Sequence, residues 1–319
     1  MNQNLITITI PEDVVKQRLD KYLAKERPEY SRSLFRRLID DGHVLVNGEK
    51  TEASELVSPG MVVTMDMTPS VMMELVPEEI PLDVLYEDEE LLVINKQAGL
   101  VVHPANGNWK GTLVNALLNH CDSAEFEEMV DEEMRPGIVH RLDKDTSGAI
   151  IIAKKAEVRE YFKEAFMNHA VRKIYAALVL GRMNSLNGTI ELPIGRHPYN
   201  FQKMTVVKDG GKEAITQYRT IAAGEGVSLV KILLHTGRTH QIRVHFAHFG
   251  HPVLGDALYG GRPQNSPYPA SRQMLHAYEL GFVHPKSGRR IRVKAPLQED
   301  FVDALRALKL PLPEGMEAR

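Results

Sequence analysis

Apolar and polar residues alternate from Leu5 to Ile10, the pattern of a half-buried strand. Leu19, Tyr22 and Leu23 then take helical spacing, as do Leu34, Phe35, Leu38 and Ile39 after a break at Pro28. Ser31 or Ser33 is placed to cap the second helix by accepting a hydrogen bond from its free amides, and Asp41-Gly42 to end it. Val44 and Val46 alternate, Asn47-Gly48 is a hairpin turn, and a further strand pair follows around Pro59-Gly60. Thr68 to Pro81 holds three prolines and several acids with too little apolar patterning to pack. The pattern predicts a small unit over residues 1–68, a linker over 69–81 and a larger unit over 82–319.

In the larger part, Leu91 to Asn95 and Ala149 to Ala153 are uncharged runs of strand length, which predicts fully buried strands. Gly99 to Pro104 reads as a loop and short strand, and Thr112 to Leu118 as a helix. Val158, Phe162, Ala165, Phe166 and His169 fall at helical spacing, with His169 at the core edge. Lys173 to Leu180, Ala214 to Ile221 and Ser228 to His235 read as strands, the first apolar on both faces. A helix capped by Thr239 and closed by Gly250 follows Thr236-Gly237-Arg238. Lys286-Ser287-Gly288 turns a hairpin, and Phe301, Val302, Leu305 and Leu308 close the chain as a helix. Strands in runs, with few helices between them, predict an α+β fold with a mixed, largely antiparallel sheet rather than a dinucleotide fold.

Composition adds little until charge is mapped along the chain. With 319 residues, 43% of them apolar, a large and a small domain can each hold a core. Cys121 is the one cysteine, which excludes an intramolecular disulfide and fits a reducing cytoplasm. The start Met1-Asn2-Gln3-Asn4 has no basic head and no long apolar segment, and no apolar run is long enough to span a membrane. The net charge of −3 hides a lopsided distribution. Lys16 to Arg37 carries eight Lys and Arg against Asp20, Glu26 and Glu29, and Lys231 to Lys294 carries ten against Asp256 and Glu279. Glu74 to Glu90 and Asp122 to Glu133 are acidic without a base. This alternation implies a basic face for phosphates and an acidic back, with the second acidic run a solvated insertion.

The candidate chemistry centres on His140-Arg141-Leu142-Asp143-Lys144-Asp145-Thr146-Ser147-Gly148, a polar turn entering the buried run Ala149 to Ala153. Asp143, flanked by Arg141 and Lys144, would be held ionised there, which suits a nucleophile or electrostatic anchor better than a proton donor. The nonapeptide resembles the catalytic motif of the RluA-type pseudouridine synthases. Leu92 to Pro104 resembles that family's first motif, with Gln97 where the family usually has Pro, and Thr236 to His245 resembles its last. Arg18-Leu19-Asp20, Ser31-Arg32-Ser33 and Val44 to Gly48 resemble the alpha-L RNA-binding domain of the ribosomal-protein-S-four type.

The resemblance implies isomerisation of uridine in RNA, favouring large-subunit ribosomal RNA over transfer RNA, without a cofactor, by a cytoplasmic monomer. It assigns Asp143 as the catalytic carboxylate, Arg243 as its ion partner, Tyr175 as the residue that stacks on the target base, and Arg141 as the side chain filling the place of the flipped base. Arg32, Arg36 and Arg37 would meet RNA in the N-terminal domain. His103 reads as structural, and Cys121 has no basic neighbour in sequence to activate it. Five histidines lie between His235 and His251, but His245, His248 and His251 spread around a helix instead of converging on a metal. Two rival readings are a retaining glycosidase using Asp143 and Asp145, which needs carboxylates roughly 5 Å apart, and a ribosome-assembly factor whose catalytic motif is a remnant.

Overall fold

A computed structural model of the chain describes residues 5–30, 32–67, 76–103, 110–121, 126, 129, 135–260, 270–313 and 315. The chain divides into one unit of Met1–Val76, Ala105–Lys110 and Val130–Pro136, and a second of Pro77–Pro104, Gly111–Met129 and Gly137–Arg319. Most of the sequence-predicted linker lies outside the described residues. Pro77 to Pro81 at its end belong to the second unit, where the Glu78 amide donates to the Asn115 carbonyl at 3.0 Å.

The small unit runs β1 (Leu5–Thr9), α1 (Leu19–Glu26), α2 (Arg32–Asp40), β2 (Val44–Val46), β3 (Glu49–Lys50) and β4 (Val62–Asp66), with its sheet in the order β1-β4-β2-β3. The helical spacing buries Leu19, Leu23, Phe35 and Leu38 against Val44, Val63 and Met65. Each such side chain contributes about 1.5–3 kcal/mol of burial. The amides of Gly42 and His43 bond back to Ile39 and Leu38 and end α2. Asn47 and Gly48, both at positive φ, turn β2 into β3. The side chains of Ser31 and Ser33, the expected caps, lie outside the described residues.

The large unit runs β5 (Val84–Glu87), β6 (Leu91–Lys96), α3 (Leu113–Cys121), β7 (Ser147–Ala153), α4 (Ala156–Met167), β8 (Arg172–Leu180), β9 (Asn187–Glu191), β10 (Ile194–Arg196), β11 (Met204–Val206), β12 (Ile215–Ala223), β13 (Val227–Leu234), α5 (Gln241–His248), β14 (Leu275–Val283), β15 (Arg290–Lys294) and α6 (Glu299–Ala307). Its nine-stranded sheet has the order β5-β6-β7-β14-β8-β13-β12-β9, with β15 paired to β14. Only the β7–β14 pair is parallel, so the fold is α+β with a mixed, largely antiparallel sheet. Every residue of β6 and β7 is buried, as their uninterrupted apolar runs require. Phe162 and Val158 of α4 cover Leu91, Val93, Ala149 and Ile151, while Phe301 and Leu305 of α6 cover Ile174, Ala176, Leu178 and Leu229.

Three local expectations are corrected. Helix α4 stops at Met167, and His169 stands beyond it, exposed, at φ +57°. Helix α5 begins at Gln241, and Thr239 is exposed and is not its cap. The Gln241 side chain instead holds the turn before the helix, its Oε1 accepting from the Arg238 amide at 2.9 Å and from Thr236 Oγ1 at 2.8 Å. The two described residues of the acidic insertion, Phe126 and Met129, are buried rather than solvated.

Candidate active site

The polar turn is delivered by β7, whose first residues lie beside β14, and β14 in turn lies beside β8. Ala277 of β14 pairs with Gly148 on one side and Tyr175 on the other, which brings the turn and the tyrosine to neighbouring places on the sheet. Gly148 is required at this junction. Its φ is +115°, and a Cβ there would lie 2.3 Å from the Ala277 carbonyl oxygen.

Two buried cations hold the turn. Lys96 ends β6 with its ammonium fully enclosed, donating to the carbonyls of Gln97 at 2.8 Å, Leu100 at 2.9 Å and Lys144 at 2.9 Å. Burial, and after it the charge of Arg272, pulls Lys96 down to about 7, while Asp145 and Asp143 act the other way. Arg272 is locked to Asp300 at 2.6 and 2.8 Å and donates to the Asp145 carbonyl at 3.1 Å and to Ser147 Oγ at 3.2 Å. The backbone carrying Asp143 is thereby gripped from both sides.

The Asp143 carboxylate meets a partner 100 positions away: Arg243 Nη1 donates to its Oδ2 at 2.8 Å. Arg141 and Lys144, its sequence neighbours, are exposed. Arg243 projects from the first turn of α5 and is itself fixed by Asp256, with Nε 2.6 Å from Oδ2 and Nη2 3.0 Å from Oδ1. Burial opposes the Arg243 charge, but the Asp256 hydrogen bonds and the Asp143 carboxylate outweigh it and raise its pKa above the ordinary arginine value. Asp256 is wholly buried, and its Oδ1 also accepts from the amides of Leu258 at 3.0 Å and Tyr259 at 3.2 Å. The loop reaches this position through Gly255 at φ +80°, where a Cβ would sit 1.9 Å from the Arg272 carbonyl oxygen.

These groups face a cleft of about 440 Å³ walled by Leu142, Asp143, Tyr175, Arg238, His240 and Arg243, with Arg141 and His169 also lining it. Tyr175 is 8% exposed, and burial followed by the Asp143 charge pushes its hydroxyl pKa up, so the phenol keeps its proton. Lys173, on the same face of β8, is pulled down to about 8 by burial and by Arg238. The arrangement offers a carboxylate held at one oxygen, a neutral phenol and a rim of cations: a nucleophile beside a platform for a planar, phosphate-linked ligand.

Histidines of the His-rich segment make hydrogen bonds within the protein. His245 bonds Thr216 Oγ1 and the Leu192 carbonyl, His251 the Leu180 carbonyl, and His240 the Tyr259 hydroxyl. Among the described residues no group of three His, Cys, Asp or Glu is gathered for a cation. His103 is buried, and burial followed by Glu87 pushes the Cys121 thiol up to about 11 against the pull of Lys154.

Residues 90–248 match the family model described as RNA pseudouridylate synthase, and residues 17–63 match the S4 domain. The chain is 40% identical over 306 residues to the uncharacterized RNA pseudouridine synthase YlyB of Bacillus subtilis (strain 168), covering 96% of this chain and 99% of that one. The chain belongs to the RNA pseudouridine synthase family. It is also 42% identical to ribosomal large subunit pseudouridine synthase D of Xylella fastidiosa (strain Temecula1 / ATCC 700964), over 94% of this chain and 92% of that protein. The solved structure of human RNA pseudouridylate synthase domain containing 4 superposes with a TM-score of 0.57 at 25% identity, covering 73% of this chain and 95% of that one. As a member of this isomerase family, the chain carries the cleft beside Asp143 as its candidate active site.

In the S4 domain the three arginines of α2 differ. Arg32 donates to the buried Asp20 at 2.9 Å, a carboxylate that Arg18 also grips at 2.9 Å. Arg37 is half-buried, and burial lowers its pKa. Arg36 is exposed, with a 4.0 Å contact to Asp40. The first acidic run meets bases from elsewhere in the chain: Glu87 pairs with Lys154 at 2.9 Å, and Glu90 with Lys155 at 3.0 Å and with Lys286, of the second basic run, at 2.8 Å.

Three supports of the site escaped the sequence reading: Asp256, Lys96 and Arg272. Lys96 and Asp256 had one signal, a lone charge in an otherwise apolar or Gly-bounded stretch, Leu-Leu-Val-Ile-Asn-Lys and Pro-Val-Leu-Gly-Asp, while Arg272, between Ser271 and Gln273, had none.

Proposed function

We propose that the chain isomerises uridine to pseudouridine in large-subunit ribosomal RNA, with Asp143 as nucleophile and no cofactor. The observation that carries the reading is the Asp143–Arg243 pair at 2.8 Å beside Tyr175 in one cleft. The preference for large-subunit RNA rests on relatives such as those of Xylella fastidiosa and Pseudomonas aeruginosa, each named ribosomal large subunit pseudouridine synthase D. Transfer RNA is the alternative substrate. The reaction breaks the bond from ribose C1′ to N1 of the base and forms one from C1′ to C5, while the C5 hydrogen leaves as a proton and N1 takes one up, so atoms balance and no oxidant or reductant is consumed. Asp143 Oδ1, the oxygen not taken by Arg243, attacks C1′ or the pyrimidine ring. Tyr175 stacks on the base and keeps its hydroxyl proton ready for transfer. Extruding the uridine costs a few kcal/mol, and the exposed Arg141 at the cleft offsets part of it by filling the vacated place. Residues 1–68 act as an RNA-binding domain, with Arg36 and the exposed sides of Arg32 and Arg37 toward phosphate, joined through 69–81 to a catalytic domain over 82–319. The protein works in the cytoplasm as a monomer.

The test is release of tritium from ribosomal and transfer RNA labelled at C5 of uridine. Wild-type protein releases label, most from large-subunit RNA, while Asp143→Asn releases none and binds RNA within about tenfold of wild type, because phosphate contacts dominate affinity. Turnover by Asp143→Asn would remove Asp143 from the chemistry.

A further inference from the structure

The Asp143 carboxylate has a second neighbour with no role so far. His240 Nε2 lies 3.8 Å from Oδ1, the oxygen that Arg243 leaves open. Its other nitrogen, Nδ1, lies 2.8 Å from the Tyr259 hydroxyl, which accepts the Met204 amide at 2.8 Å and has its own proton to give. Donation of that proton to Nδ1 places the neutral ring's hydrogen on Nε2, toward Oδ1. His240 sits at φ +55°, ψ 19°, a left-handed conformation uncommon for residues that bear a side chain. Both arms on Asp143 trace to one buried carboxylate, since Asp256 grips Arg243 and also accepts the Tyr259 amide.

We propose that His240, with its tautomer set by Tyr259, is a positioning residue: its Nε2–H orients Oδ1 while Arg243 orients Oδ2, so the carboxylate meets the substrate through one defined oxygen. At 3.8 Å the contact is an electrostatic one that a small ring movement makes a hydrogen bond. The charged and titratable groups facing the ring are Asp143 and Arg141 on the polar turn, Arg243 on α5, Asp256 on the following loop and the Tyr259 hydroxyl. Burial lowers the His240 pKa, Asp143 opposing it. Protonation would add a hydrogen at Nδ1 against an oxygen that already accepts one, and would put a full positive charge on Oδ1. Turnover then falls as pH drops through the lowered pKa.

The inference rests on the uridine-isomerising reading, and the test separates the two. kcat, KM and pH profiles of C5-tritium release are measured for His240→Ala, His240→Asn and His240→Gln, with melting temperatures. Gln carries an N–H near the place of Nε2, whereas Asn reaches only the place of Nδ1. His240→Ala and His240→Asn should lose about 10²-fold in kcat with KM little changed, as for a slightly misplaced nucleophile. His240→Gln should recover most of that loss and lack the acidic limb caused by the ring. Equal kcat for Ala and Gln, or an acidic limb unchanged in Gln, overturns the proposal. Should these variants fail to fold, Tyr259→Phe serves: lower kcat and loss of the single Nε2–H tautomer in the nitrogen-15 spectrum support the proposal, and no change in either overturns it. Absence of turnover in wild-type protein would defeat the functional reading instead, and the resting tautomer then decides the inference, Nε2–H supporting it and Nδ1–H overturning it.

Discussion

Asp256→Asn removes the charge behind Arg243 and keeps the side chain's shape. The Asn oxygen can still accept the Leu258 and Tyr259 amides, so the loop keeps its local bonds. Its amide group, however, takes the place of Oδ2 and must face Arg243 Nε, which also only donates and now lies 2.6 Å from that oxygen. Asp256 is wholly buried and Arg243 is 6% exposed, so water does not replace the lost partner. Breaking a buried ion pair costs about 3–5 kcal/mol, and the acceptor that Asn retains puts this case near about 3. At roughly 2–4 °C per kcal/mol for a domain of this size, the melting temperature should fall by about 6–12 °C. Turnover should fall as well, by about 10²-fold, because Arg243 loses the anchor that aims it at Asp143. Thermal melts and C5-tritium release on the same preparations check both numbers. Asp143→Asn is the comparison: its carboxylate is 19% exposed and meets a single guanidinium nitrogen, so it should melt much closer to wild type. An Asp256→Asn protein with wild-type melting temperature and turnover would refute the view that Asp256 roots the site.

Arg36→Gln should lower the magnitude of the slope of log RNA affinity against log salt by about one unit, since Arg36 is the arginine of α2 not committed to a buried partner; binding titrations at several salt concentrations with unchanged slope would remove it from the interface. Asp88 should contribute acid stability. Burial opposes its charge, but the Tyr86 hydroxyl, the amides of Glu90 and Leu91 and the His284 ring hold it down to about 2, below its ordinary 3.8. A carboxyl depressed on folding stabilises above its unfolded pKa and loses that contribution as pH falls through the folded one, so melts from about pH 5 to about pH 2 should cost wild type about 1–2 kcal/mol more than Asp88→Asn, a figure reduced for partial exposure. Parallel curves would show that Asp88 is not the titrating group.

Strand and helix identity were legible wherever one periodicity was unambiguous. The uncharged runs in β6 and β7 could only be buried strands, and the spacing of Phe35, Leu38 and Ile39 could only bury one helix face. The α+β class and the location of the polar turn followed from the same pattern, and the family resemblance supplied Asp143, Tyr175, Arg243 and Arg141 as candidates. Ion pairing was not legible in the pattern of the residues themselves, because a charge chooses its partner by distance and local dielectric rather than by sequence proximity, and the Asp143–Arg243 pair was expected only through the family resemblance. Asp143 meets Arg243 from 100 positions away while Arg141 and Lys144 beside it face water. Asp256 and Lys96 read as ordinary charges, and only the folded chain wraps them in protein and makes them anchors. Periodicity likewise placed His169 on a helix that the chain leaves two residues earlier. Sequence by itself determined which segments become strands and helices, because burial of apolar side chains is a property each segment carries. Tertiary structure alone decided which charges are buried and paired, because that energy belongs to pairs of groups that no single segment contains.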